Sequence, residues 1–191
     1  FALARPTLRG TGLRGKEGAP LSVALVFDNS LRMQYVERNE TRLNAASTMA
    51  QALVEKLPDD TEIAVIDLSR ATSSFAADKG TAESRLRSLS AETHPRPLSD
   101  AVRNAVQLVA EQTERRQEVF VFSDLSAAEF NPEAIASLQQ TLEESPEVRI
   151  YFVEVGGDEI RNMSVAPLKL RATALRPGEP LHVTVDLASV G

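Results

Sequence analysis

The chain has 191 residues, 42% of them hydrophobic and 25% charged, an ordinary balance for one globular domain with or without an appendage and far from that of a disordered or fibrous chain. Its 21 Lys and Arg against 27 Asp and Glu give a net charge of -6, with no basic cluster or aromatic platform to follow phosphates, so nucleic acid is a poor partner. The absence of cysteine excludes a disulfide framework, a thiolate metal site and a cysteine nucleophile, and two distant histidines, His94 and His182, exclude a multi-histidine metal centre.

Phe1-Ala2-Leu3-Ala4-Arg5-Pro6 is a short apolar stub ahead of Arg9, Arg14 and Lys16 among glycines, and residues 1–20 read as a leader. No run approaches the ~20 consecutive apolar residues that a membrane span needs. Leu21 to Phe27 is a nearly continuous apolar run ending at Asp28, which predicts a strand buried on both faces. Leu43, Ala46, Ala50, Leu53 and Leu57 recur at intervals of three and four, predicting a helix that Pro58 stops. Ile63 to Leu68 is a second buried strand; Ala71 to Ala77 has the composition of a weak edge strand and Thr81 to Leu89 that of a short helix. From Pro97, the residues Leu98, Ala101, Val102, Ala105, Leu108 and Val109 keep helical spacing, with Ser99 and Asp100 in the first turn.

Val119 to Phe122 predicts a third strand, ending in Ser123-Asp124. Asn131-Pro132-Glu133 reads as a cap followed by proline at the first helical position, opening a helix with Ile135, Leu138 and Leu142 on its apolar face. Val148 to Val155 is a further strand, stopped by Gly156-Gly157. Strands alternating with helices predict the α/β class, a parallel sheet covered on both sides by right-handed crossovers. Over residues 158–191 the pattern changes: Leu168, Leu170 and Ala172 alternate with polar neighbours, Arg176-Pro177-Gly178-Glu179 supplies a turn, and Leu181, Val183, Val185 and Leu187 alternate again, leaving His182 on the opposite, exposed face. Two half-buried antiparallel strands rarely stand alone, so this extension either packs on the α/β domain or opens a β-sandwich, the second being the expectation adopted.

In a doubly wound sheet, ligands bind outside the carboxyl ends of the strands, where the strand order reverses. Asp28 and Asp124 each end a strongly apolar strand; if those strands are neighbours, two carboxylates and the Ser30 hydroxyl converge on one crevice, a donor set that suits Mg²⁺. The segment Val23 to Ser30 resembles the first strand and Asp-x-Ser-x-Ser motif of von Willebrand factor type A (vWA) domains. The helix from Arg42, the strand Ile63 to Leu68, Pro97-Leu98-Ser99-Asp100-Ala101-Val102 and the strand ending Phe122-Ser123-Asp124 follow in the family's order. The resemblance implies a Rossmann-like, doubly wound, mostly parallel sheet over residues 21–157, and at its crest a metal-ion-dependent adhesion site whose cation is completed by an acidic residue of a protein ligand. Ala2 to Pro6 is also similar to the junction between the last membrane span and the vWA domain in bacterial BatA-like (Bat aerotolerance) proteins with an N-terminal double-transmembrane region. That likeness implies a removed membrane anchor before residues 1–20, a periplasmic, extracytoplasmic domain, and the start of an Ig-like β-sandwich in residues 158–191.

Two positions depart from the family. Asp28, Ser30 and Asp124 stand at ligand positions, but Arg32 replaces the second serine of the motif, and Arg96 stands before Pro97-Leu98 where the family has threonine. Thr93 is three residues away in a loop stiffened by Pro95 and Pro97. Arginine is always charged and offers no lone pair, so Arg32 and Arg96, turned inward, would pair with Asp28 and Asp124 and supply the charge of a cation. The expectation is a non-catalytic protein-interaction module with a degenerate site, no cofactor, and Arg32, Arg96, Asp28 and Asp124 as partner-binding residues facing an acidic group. Mg²⁺ on Asp28, Ser30 and Asp124 is the outcome if the arginines turn to solvent. The alternatives are a structural spacer whose ion pairs are internal, or a haloacid-dehalogenase-like phosphotransferase with Asp28 as nucleophile; the latter lacks its acid two residues on, where Ser30 stands.

Overall fold

β1 (Leu21–Phe27) is buried at every position, as an unbroken apolar run requires of a strand with neighbours on both edges and layers on both faces. In the computed structural model, which describes residues 19–69, 73–126 and 132–156 and the strand segments 162–165, 169–170, 183–184 and 187–190, β1 is central. It pairs in parallel with β4 (Glu62–Ile66) on one side and β5 (Arg116–Ser123) on the other, and β6 (Arg149–Glu154) continues the sheet in the order β4-β1-β5-β6. These four strands are parallel to one another, and the fold is of the α/β, Rossmann-like class.

Alternate side chains of β1 serve two separate cores, as the period of a strand dictates. Leu21, Val23, Leu25 and Phe27 meet Leu43, Ala46, Ala50 and Val54 of α1 (Arg42–Lys56) and Leu86 of α2 (Lys79–Arg87). Ala24 and Val26 pack with Ala101, Val102 and Val106 of α3 (Leu98–Ala110) and Leu138 of α4 (Pro132–Glu144). Phe27 and Phe122, opposite each other in the β1–β5 register, stack with centroids 4.9 Å apart beneath the sheet's carboxyl end. The helix starts are locally encoded. Thr41 Oγ1 accepts the Asn44 N–H at 3.1 Å, and Asp78 accepts that of Thr81 at 2.7 Å, which holds the Asp78 carboxylate below its usual value.

Two expectations are modified. Within 73–77 only Phe75 bridges Ala64, backed by the Ala76 N–H to the Ile63 carbonyl, so one antiparallel bridge stands where an edge strand was expected; Ala71 and Thr72 lie outside the described residues. The cap residue Asn131 also lies outside them. On α4, Leu138 is buried, but Ile135 and Leu142 are 43% and 38% exposed and, with Leu125, Ile150 and Phe152, line an open groove of about 500 Å³. The reason is topological: β6 ends the sheet, so the half of α4 beyond Leu138 has no described layer to cover it. Ile135→Lys should therefore change stability by no more than about 0.5 kcal/mol, whereas Leu138→Ala should cost about 2–3 kcal/mol, as read by urea unfolding.

The chain divides into two compact units, Phe1–Gly156 and Gly157–Gly191. In the second, β7 (Asn162–Val165) pairs antiparallel with β10 (Leu187–Val190), and β8 (Lys169–Leu170) with β9 (Val183–Thr184). The leader residues 1–18, the turn at Arg176 to Glu179, and Leu168, Ala172, Leu181, His182 and Val185 lie outside the described residues. No helix among the described residues is long and apolar enough to cross a membrane.

Candidate functional site at the sheet crest

β1 and β5 are neighbours, and the Asp28 N–H donates to the Phe122 carbonyl at 2.9 Å, so the residues ending both strands sit side by side. The strand order turns about β1, the place where a doubly wound sheet opens its crevice. Asp28 is fully buried. Its Oδ1 accepts the Ser30 N–H at 3.0 Å; its Oδ2 accepts from Ser123 Oγ at 3.1 Å and from Arg32 Nη2 at 3.3 Å. Asp124 Oδ1 accepts the Ser126 N–H at 3.1 Å, and its Oδ2 lies 3.5 Å from both Arg32 Nε and Arg42 Nη1. One guanidinium, that of Arg32, thus spans the two carboxylates expected to converge.

The loop that presents Arg32 is held from below and from behind. A short 3₁₀ turn, Leu31–Gln34, drives Met33 into the core with no exposure. A hairpin follows, β2 (Val36–Glu37) against β3 (Glu40–Thr41), whose two tip residues, Arg38 and Asn39, have φ of 51° and 67°. Two left-handed residues are what a two-residue hairpin turn needs, though arginine at the first costs about 1 kcal/mol relative to glycine. Immediately after it, Arg42 opens α1 with its N–H on the Tyr35 carbonyl and its guanidinium 4.9 Å over the Tyr35 ring. Nε and Nη2 of Arg42 both reach Glu37 Oε1, at 3.0 and 2.7 Å. Behind Arg42, Gly156 at the exit of β6 has φ of 145°, and a Cβ there would stand 3.0 Å from Arg42 Nε.

Arg96 does not take the position expected of it. Its half-buried side chain stands on the next loop, its N–H donating to the Leu68 carbonyl at 3.1 Å, while the ion pairs of Asp28 and Asp124 come from Arg32 and Arg42. The cause is in the loop. Asn29 bonds Ser90 and Leu68 through its side chain and the Glu92 N–H through its carbonyl, so it fixes the distance at which the 90–97 loop passes the crest. Thr93 and His94 are exposed and bonded to each other and to Glu92, away from a ligand position. Arg42, Glu37 and Ser123 were not foreseen as site residues. Arg42 did carry a signal: it is a cation in the first turn of a helix that has no acidic residue there, against the helix dipole, and such a residue needs another reason for its place.

A parallel doubly wound sheet with two acidic strand ends and a serine at its crest defines a class of α/β ligand-binding domains. The von Willebrand factor type A domain family model matches residues 23–127, more than half of the chain, and the chain belongs to that family. Among solved structures, a von Willebrand factor type A protein from Catenulispora acidiphila is similar, with 11% identity and a TM-score of 0.48 over 80% of this chain and 48% of that one. A mutant of the PilB minor pilin from Streptococcus sanguinis is similar at 14% identity and a TM-score of 0.42, over 58% of this chain and 30% of that one. The chain thus spans less than half the length of either structure. Comparison with curated proteins finds no match.

The family's cation can be tested against the residues present. Ser30 Oγ is buried without a hydrogen-bond partner, and such an orphaned hydroxyl beside Asp28 is a donor a metal ion could use. The rest of the set does not fit. Asp28 Oδ2 and Asp124 Oδ2 already carry the Arg32 guanidinium, and Asp124 carries Arg42 as well. Arg32 and Arg96 bring no lone pair, and among the described residues no three acidic or histidine side chains gather.

Proposed function

We propose that this domain is a non-catalytic protein-interaction module of a membrane-anchored, BatA-like bacterial protein, displayed outside the cytoplasm, whose crest works without a metal ion. Domains of the family commonly mediate protein–protein interactions. The observation that carries the reading is that Arg32 pairs with both Asp28 and Asp124, which supports a tethered charge of +1 serving in place of an exchangeable divalent ion. Such a crest is independent of free Mg²⁺, and the guanidinium fork matches an acidic group on a partner. The phosphotransferase alternative has little support, because Asp28 is fully buried and both of its oxygens are engaged. The spacer reading is favoured by Arg42, whose side chain is only 8% exposed and whose ion pairs are all internal.

Calorimetric titration with Mg²⁺ and Mn²⁺ tests the metal-free crest. The wild type should give no binding heat up to about 10 mM, and Arg32→Ser combined with Arg96→Thr should gain a site of about millimolar affinity. Stoichiometric binding by the wild type would restore a cation-bridged site and sink the reading.

A further inference from the structure

A separate cavity of about 150 Å³ lies between the carboxyl end of β4, residues 73–74 and the last turn of α2. β4 is the outer strand of the sheet; the chain leaves it after Ile66, returns beside it at Phe75, and then enters α2, which packs against the same strand. The space left among these three segments holds about five water volumes, or a ligand of about five to eight non-hydrogen atoms. Val65 and Leu89 give the cavity an apolar wall. The rest is polar: Asp67 just past the strand, Ser73 on the returning segment, and Arg85 and Ser88, three apart where α2 ends.

Two features of this lining lack a partner. Ser73 Oγ is buried with no hydrogen bond among the described residues. Asp67 and Arg85 carry opposite charges and face one small cavity, yet they pair neither with each other nor with any other charge among the described residues. Asp67 Oδ1 accepts from the N–H and hydroxyl of Ser69, and Arg85 Nη1 donates to the Ser74 carbonyl at 3.2 Å. Both side chains belong to half-buried residues, so water restores only part of what pairing would give them.

We infer that this cavity binds a small zwitterion, a free α-amino acid with a short side chain, its carboxylate on Arg85, its ammonium on Asp67 and its side chain against Val65 and Leu89. The two charges select the class. A simple carboxylate would be drawn to Arg85 and repelled by Asp67, and a simple amine the reverse, whereas a ligand with both charges satisfies both. The Ser73 hydroxyl can accept from the ammonium or donate to the carboxylate, so the orphaned atom gains its partner in either orientation. The cavity shares no residue with the crest, and the inference stands apart from the reading of that site.

The test is an amide-resolved NMR titration of the whole chain with L-alanine, beside propionate and ethylamine, which carry one of its charges each, at matched ionic strength and up to about 50 mM. L-Alanine should shift resonances at residues 65–67, 73–74 and 85–89 with a dissociation constant of about 3 mM, and each analogue should bind about tenfold more weakly. Asp67→Asn, which keeps an oxygen for Ser69, should weaken L-alanine about tenfold and bring propionate level with it. Arg85→Met, which keeps the apolar stem, should weaken L-alanine as much and bring ethylamine level instead. A merely structural role for either residue predicts no such exchange of preference. Equal binding of the three probes, loss in the variants without that exchange, shifts confined to other parts of the chain, or no shifts at all would overturn the inference. The ranking of the probes on the wild type decides the matter alone should a variant fail to fold.

Discussion

Arg42→Met should destabilise the domain by about 3 kcal/mol, because it removes one partner of a buried ion-pair cluster and leaves the others in place. Arg42 is 8% exposed and Asp124 9%, and the same guanidinium holds Glu37 and covers the Tyr35 ring. Methionine keeps most of the apolar stem, so the loss isolates the charge from the packing. Asp124 would then depend on Arg32 alone, whose side chain is 37% exposed and whose pairing is screened by solvent. Adding Asp124→Asn to Arg42→Met should return part of the loss, with a coupling energy of about 1 kcal/mol in a double-mutant cycle measured by urea unfolding. Strict additivity of the two changes would mean that the 3.5 Å contact contributes nothing.

Gly156→Ala should cost about 2 kcal/mol, and the cost has two separable parts. A φ of 145° is backbone that residues with a Cβ rarely adopt, which alone accounts for about 1–3 kcal/mol. The new methyl would also stand 3.0–3.2 Å from Nε, Cζ and Nη2 of Arg42, groups fixed by Glu37 and therefore unable to swing clear without losing their hydrogen bonds. In an Arg42→Met background the second part should vanish and the first remain, so thermal unfolding of the four variants separates strain from collision. An alanine variant as stable as the wild type would show that the backbone relaxes there at no cost.

Much of the fold can be read in the sequence because it is written in the periods of its apolar residues. The run Leu21 to Phe27 has no polar interruption other than Ser22, and only a central strand of a covered sheet can bury such a run. The 98–110 helix shows its face at intervals of three and four. Edges are harder to read. Ile135 and Leu142 look like core residues because hydrophobic spacing records which face a residue is on, but not whether another layer reaches that face. The site divides in the same way. Asp28 and Asp124 follow from strand ends, and Arg32 follows from its place in the same motif. Arg42 pairs with Asp124 across 82 residues of sequence, a separation no local pattern encodes, and the path of the loop that carries Arg96 depends on Asn29 bonding Ser90 and Leu68.

The central place of β1 also sets an order of events while the chain is being made. Ser22 lies only 40 residues from its β4 partner Glu62, but Asp28 lies 95 residues from Ser123, and closing the longer loop is the slower, later step. As the chain emerges from the ribosome, β1 gains one edge early and waits with its other edge open until β5 has been synthesised, a largely apolar strand exposed to any neighbour that can pair with it. Asp124 meets Arg32 and Arg42 only when that second edge closes, whereas the Asp28–Arg32 pair is local. A nascent chain arrested before residue 116 should accordingly be the species that chaperones hold and proteases cut, and the crest is completed by a long-range step rather than a local one.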